Sequence, residues 1–92
     1  MKKRYRICVV IPCFKVRNSI EKVIKKINFK LINKVIIVDD CCPEKTASYL
    51  TKKKLKNILI MKNKKNLGVG GATLRGFKKA IQMKFDIIFK ID

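Results

Sequence analysis

Ninety-two residues suffice for one small domain and are too few for a complete two-layer enzyme with both of its substrate sites. The net charge of +18 comes from 20 Lys against 4 Arg, spread over nearly every segment, and there is no histidine. That is not the clustered, Arg-weighted charge of a nucleic-acid reader, and no apolar run approaches the roughly 20 residues of a membrane-spanning helix.

The lysine excess reads first as a compositional bias of the whole chain. A small basic nucleic-acid-binding protein is the alternative that charge alone supports. A Lys-rich surface also suits anionic membrane headgroups, so peripheral contact with the inner face of a membrane is compatible with either reading. The basic start, Met1 to Arg6, leads into a short strand-like run and not a signal peptide, so a cytoplasmic location is the expectation. The four cysteines, Cys8, Cys13, Cys41 and Cys42, contain no C-x-x-C pair and have no histidine to complete a usual zinc set. They are expected to be reduced, packed thiols.

Ile7-Cys8-Val9-Val10-Ile11 is an unbroken apolar run, the pattern of a strand buried on both faces, and it is expected to stop at Pro12. Asn18 and Glu21 then form an N-x-x-E capping pair. Behind it Ile20, Val23, Ile24 and Ile27 recur at i, i+3, i+4 and i+7, which predicts a helix. Glu21, Lys22, Lys25 and Lys26 take its solvent face. Val35-Ile36-Ile37-Val38 is a second buried strand, ending in Asp39-Asp40. Pro43 suits the first position of a helix and Glu44 its positive end, which predicts a helix from Pro43 to about Lys54 with Ala47 and Leu50 inward.

Asn57 to Met61 reads as a third strand and Lys62 to Asn66 as a polar turn. Gly68-Val69-Gly70-Gly71 opens a helix from about Gly70 to Met83, with Leu74, Phe77 and Ile81 expected inward. Gly76 within it costs about 1 kcal/mol against Ala, which suggests close packing on a sheet. Asp86 to Asp92 is a fourth strand. The order β-α-β-α-β-α-β with short connections predicts an α/β fold, a Rossmann-like parallel sheet with helices on both faces.

In such a sheet, ligands sit outside the carboxyl ends of the strands, and three spots converge there. Phe14, just past Pro12, either stacks on a flat base or packs under the first helix. Asp39 and Asp40 either read the N–H edge of a base or simply form a turn. Successive strand side chains alternate, so one of the two is expected to face the ligand. The glycines Gly68, Gly70 and Gly71 at a helix N-terminus let backbone N–H groups approach phosphates. They follow the wrong strand for a dinucleotide fingerprint, and no G-K-[ST] marks a P-loop. Asp92 closes the fourth strand, and beside a diphosphate a carboxylate is the expected ligand for Mg²⁺ or Mn²⁺.

Together, Val10-Ile11-Pro12-Cys13-Phe14, Val35 to Thr46, Asn66-Leu67-Gly68-Val69-Gly70-Gly71-Ala72 and Lys90-Ile91-Asp92 resemble the N-terminal half of family 2 glycosyltransferases. Those enzymes have the GT-A fold and carry V-I-P-x-[FY]-N, V-D-D-G-S-x-D-G-T, N-x-G-x-[GA]-x-A and D-x-D in this order. Within the family the chain looks most similar to bacterial relatives of the dolichyl- and polyprenyl-phosphate sugar synthases. The resemblance implies a nucleotide-diphospho-sugar donor, UDP- or GDP-linked, and an acceptor such as polyprenyl phosphate. It implies that Pro12, Phe14, Asp39, Asp40, Gly68, Gly70 and Gly71 line the nucleotide site, with Asp40 on the base, and that Asp92 holds the metal.

It also implies that residues 1–92 form a single partial domain, truncated at the metal-binding Asp motif and inactive alone. The departures are Lys15 in place of Asn, Val16-Arg17 in place of acidic residues, Cys41-Cys42 in place of Gly-Ser, Glu44 in place of Asp and Lys45 in place of Gly. With Cys41-Cys42 in place of Gly-Ser, the hydroxyl cap before Pro43 is expected to become a weaker thiol acceptor.

Overall fold

The computed structural model describes residues 4–14, 17–41, 43 and 45–91, with residues 17 and 18 described by their backbone alone. Expectations placed on Lys15, Val16, Cys42, Glu44 and Asp92 lie outside the described residues. The element order is β1 (Ile7–Cys13), α1 (Arg17–Lys26), β2 (Lys34–Asp39), α2 (Thr46–Thr51), β3 (Ile58–Lys62), α3 (Gly68–Gln82) and β4 (Ile87–Lys90). All strand pairs are parallel, in the order β3-β2-β1-β4. The expected α/β, Rossmann-like sheet with helices on both faces is therefore observed.

The two unbroken apolar runs form the central strands because both of their faces are covered. Cys8, Val10, Ile36 and Val38 pack with Ala72 and Ala80 of α3. The alternate residues Val9, Ile11, Val35 and Ile37 pack with Ile20 of α1 and Leu50 of α2 on the other face. Each large aliphatic side chain removed from water this way contributes about 1.5–3 kcal/mol. Two registers, Val10↔Ile36 and Ile37↔Ile60, align these strands so that their carboxyl ends share one rim.

Pro12 does not stop β1, which continues to Cys13 with Pro12 opposite Val38. The register explains the tolerance. Cys13 bonds towards β2, accepting the Asp40 N–H at 2.9 Å, so Pro12 turns its missing N–H the other way. On that side the ladder with β4 ends at the bond from the Ile91 N–H to the Val10 carbonyl, at 3.0 Å, so the proline sits where the pairing stops and not within it.

The other corrections concern the helices. Helix α1 carries the expected stripe, with Ile20 buried and Val23, Ile24 and Ile27 packed against the core. Its backbone already includes Asn18, so Asn18 is not the residue preceding the helix. Glu21 is half-buried, and bonds across to α2: Tyr49 donates its hydroxyl to Glu21 Oε1, and Lys53 Nζ lies 3.2 Å from the same oxygen. Those two donors hold the Glu21 carboxyl below its ordinary value, the tyrosine hydroxyl being the larger cause.

Helix α2 is shorter than expected, starting at Thr46 and leaving Pro43 in a turn. Lys45 precedes it in a left-handed conformation, φ 54°, and offers no side-chain cap. The cap comes instead from Asp39, whose Oδ2 accepts the Ala47 N–H at 2.7 Å. Ala47 and Leu50 are its buried face, as expected.

Helix α3 begins at Gly68, and the face it buries is not the expected one. Leu74 and Ile81 are 55% and 65% exposed, while Ala72, Gly76 and Ala80 lie against the sheet. The small residues set how closely the helix approaches. A Cβ on Gly76 would come within 2.4 Å of Val10 Cγ1 and 3.1 Å of Val38 Cγ2. Phe77 does pack inward, at the edge of this cluster.

Candidate functional site

A cleft of about 140 Å³ opens at the carboxyl ends of β1 and β2 and the start of α3. Pro12, Cys13 and Phe14 form one wall, Asp40 the floor at the end of β2, and Asn66, Gly68, Val69 and Ala72 the other wall. Four residues expected at the site, Pro12, Phe14, Asp40 and Gly68, are thus brought together. Phe14 is 39% exposed at the edge of the cleft and is not hidden beneath α1.

The two aspartates separate because β2 keeps its alternation to the end. Ile37 and Asp39 point towards α1 and α2, whereas Val38 and Asp40 point towards α3. Asp39 is 0% exposed and is committed to the α2 cap, away from the cleft. Asp40 is 3% exposed; its Oδ1 accepts the Asn63 side-chain amide and the Leu67 backbone N–H, each at 2.8 Å. A carboxylate bonded to two N–H donors keeps a fixed orientation, and each such charge-assisted bond is worth about 1.5–3 kcal/mol.

The same bonds shape the start of α3. Asp40 takes the Leu67 N–H, and Asn66 Oδ1 accepts the Gly68 N–H at 2.8 Å. Gly68 has φ +80°, a left-handed turn that admits glycine without strain. Space around the Cα of Gly68 and of Gly70 is open, so a ligand can approach the backbone there. Gly70 and Gly71 belong to the first turn of α3 and do not line the cleft; a Cβ on Gly71 would come within 2.7 Å of Leu67 Cβ.

Beside the cleft lies a basic groove of about 310 Å³, lined by Lys62, Asn63, Lys64, Lys65, Leu67 and Arg75. It places positive charge near the start of α3, whose N-terminal dipole has the same sign. The cysteines divide. Cys8 and Cys13 are buried, and burial pushes the Cys8 thiol up to about 11 against a smaller lowering by Lys34. Cys41 is exposed, contrary to the packed-thiol expectation, and donates its S–H to the Lys64 carbonyl at 3.6 Å. Among the described residues no three His, Cys, Asp or Glu side chains gather to hold a metal ion, and no helix is long and apolar enough to cross a membrane.

Asn63 was not singled out by the sequence, where it sits among lysines in a polar turn. The one signal that finds it is register: Asp39 pairs with Lys62, so the next residues, Asp40 and Asn63, leave the sheet side by side. Asn66, Val69 and Ala72 likewise gain their place in the wall only from the fold.

A parallel α/β domain with an acidic floor, an aromatic edge and a helix N-terminus at one strand rim is built to receive a small ligand there. Comparison with known proteins identifies which such domain it is. The Glycosyl transferase family 2 model matches residues 8–83, and the chain belongs to that family. It is also similar to the UDP-N-acetylglucosamine--dolichyl-phosphate N-acetylglucosaminyltransferase of Methanococcus voltae, 28% identical over 102 aligned positions. The alignment takes in 94% of this chain and 40% of that relative's length.

Proposed function

We propose that this chain is the nucleotide-diphospho-sugar-binding portion of a glycosyltransferase. The observation that carries the reading is the single cleft holding Phe14, Asp40 and the Gly68 start of α3 at the carboxyl ends of β1 and β2. An aromatic face, a carboxylate acceptor and backbone N–H groups are what a base, its N–H edge and a diphosphate require. Whole ligand pockets run to about 300–1,000 Å³, so this cleft suits the base end of the donor. The basic groove beside it adds attraction for the diphosphate.

Family membership and the relative's name support UDP- or GDP-sugar as donor and polyprenyl phosphate as acceptor. The reaction class is then transfer of the sugar from the diphosphate to an acceptor oxygen. A phosphate acceptor is already anionic and needs no general base. Asp92 is the residue we assign to Mg²⁺ or Mn²⁺, which would offset the charge of the departing diphosphate. Because the chain covers 40% of its relative, we assign acceptor binding and transfer to the remainder of such a protein. Contact with an anionic membrane surface fits both a lipid acceptor and the lysine excess.

Calorimetric titration of UDP and GDP, with and without Mn²⁺, tests the reading. Asp40→Ala should weaken binding by about tenfold or more, and exposed Lys30→Ala should leave it unchanged. Equal effects of the two would remove Asp40 from the site. The nucleic-acid alternative predicts tight, sequence-selective DNA binding, whereas the present reading predicts only loose binding that falls steeply with salt.

A further inference from the structure

We infer that Asn63 and Arg75 are positioning residues for base recognition, acting through Asp40; the inference rests on the nucleotide reading of the cleft. Asn63 is 2% exposed, and its backbone N–H and both polar atoms of its side chain are engaged. Its backbone N–H donates to the Asp39 carbonyl at 2.8 Å, continuing the β2–β3 ladder one step past the strands. Its side-chain Nδ2 donates to Asp40 Oδ1 at 2.8 Å. Its Oδ1 accepts from Arg75 Nη1, and the same guanidinium nitrogen donates to the Lys62 carbonyl at 3.0 Å.

This arrangement fixes the amide in one sense. A side-chain amide can present either its oxygen or its NH₂ to a neighbour, and its oxygen beside a carboxylate would be repulsive. Arg75 has only donors, so it holds the amide oxygen and turns the NH₂ towards Asp40. The Leu67 N–H meets the same carboxylate oxygen at 2.8 Å, so the Asp40 oxygen Oδ1 is engaged by β3 and by the start of α3 together. The other oxygen, Oδ2, accepts no hydrogen bond from the described residues and is the one a base N–H can use. Buried Asn63 and surface Arg75 thereby set the angle at which the carboxylate meets the base, without touching it.

A double-mutant cycle on the full chain tests this, with UDP and GDP as probes of base binding and inorganic pyrophosphate as a probe that lacks a base. Asn63→Ala and the charge-keeping Arg75→Lys, which loses the guanidinium's bonds to Asn63 and the Lys62 carbonyl but keeps the positive charge of the groove, should each weaken UDP or GDP binding by about three- to tenfold and leave pyrophosphate binding unchanged. In an Asp40→Ala background the same changes should have no further effect, because their action passes through that carboxylate. Arg75 is exposed, so its variant keeps the test open if Asn63→Ala fails to fold. Additive losses in the Asp40→Ala background, or equal losses for pyrophosphate, would overturn the inference while leaving the nucleotide reading intact. Failure of the wild-type chain to bind either nucleotide would overturn that reading, and the inference with it.

Discussion

Asp39 and Asp40 follow one another in the chain and bond to opposite sides of the sheet, Asp39 to the first turn of α2 and Asp40 to the turn before α3. One carboxylate builds the fold and its neighbour builds the cleft. Removing Asp39 should therefore cost stability, and removing Asp40 should cost ligand affinity. Loss of an N-terminal helix cap costs about 0.5–2 kcal/mol. Asp39→Ala should lower the urea midpoint accordingly, and any loss of nucleotide binding should be recovered at low temperature, where the fold is fully populated. Asp40→Ala should lose binding even then.

Gly76→Ala should destabilise the chain, although alanine is the better helix former by about 1 kcal/mol. The added carbon would overlap Val10 Cγ1, and overpacking of this kind costs about 1–3 kcal/mol. Val10→Ala should recover part of the loss in the double variant, because it removes the nearest contact. Chemical denaturation of the four-member cycle reads this; a stabilised single variant would mean that α3 stands further from the sheet.

Cys41 and Lys45 stand where the family carries glycine, and both have left-handed backbones, φ 59° and 54°. That conformation costs a residue with a Cβ about 1–2 kcal/mol, whereas glycine loses about 0.5–1 kcal/mol through extra freedom in the unfolded chain. Cys41→Gly and Lys45→Gly should each stabilise by roughly 0.5–1 kcal/mol, the balance of these two effects. Thermal melts of the single variants check it, with a lowered midpoint as the contrary result.

The α1–α2 link sets an acid limb to stability. Tyr49 and Lys53 lower the Glu21 pKa, so their contribution is present above the unfolded-state value and is lost as pH falls through the lower folded one. Lys53, raised chiefly by its bond to Glu21, loses its share only at high pH, as pH climbs through its folded value. Glu21→Gln should flatten the acid limb of a stability–pH profile and leave the neutral plateau slightly lower. An unchanged acid limb would show that the link is not formed in solution.

The central strands were legible because unbroken β-branched runs admit no exposed face, and α1 because its large apolar residues recur at helical spacing. The buried face of α3 was not. Its large apolar residues, Leu74 and Ile81, point to solvent, since a helix lying close on a sheet needs Ala72, Gly76 and Ala80 there instead. Hydrophobicity alone selects the wrong side. The start of α2 was misplaced because its cap, Asp39, comes from the preceding strand, eight residues before the amide it serves. At the site, Phe14, Asp40 and Gly68 follow from the rule that ligands meet the carboxyl ends of parallel strands. Asn63 follows only from strand register, which the sequence does not state.

The central claim is that a nucleotide binds in the cleft between Phe14 and the start of α3. Titration of an isotopically labelled chain with UDP-N-acetylglucosamine and GDP-mannose, followed by backbone amide shifts, tests it most directly. The account predicts saturable shifts concentrated at Phe14, Asp40 and residues 66–72, with ring-current changes marking the base against Phe14. Shifts confined to lysine-rich segments away from the cleft, abolished at physiological salt, would contradict it.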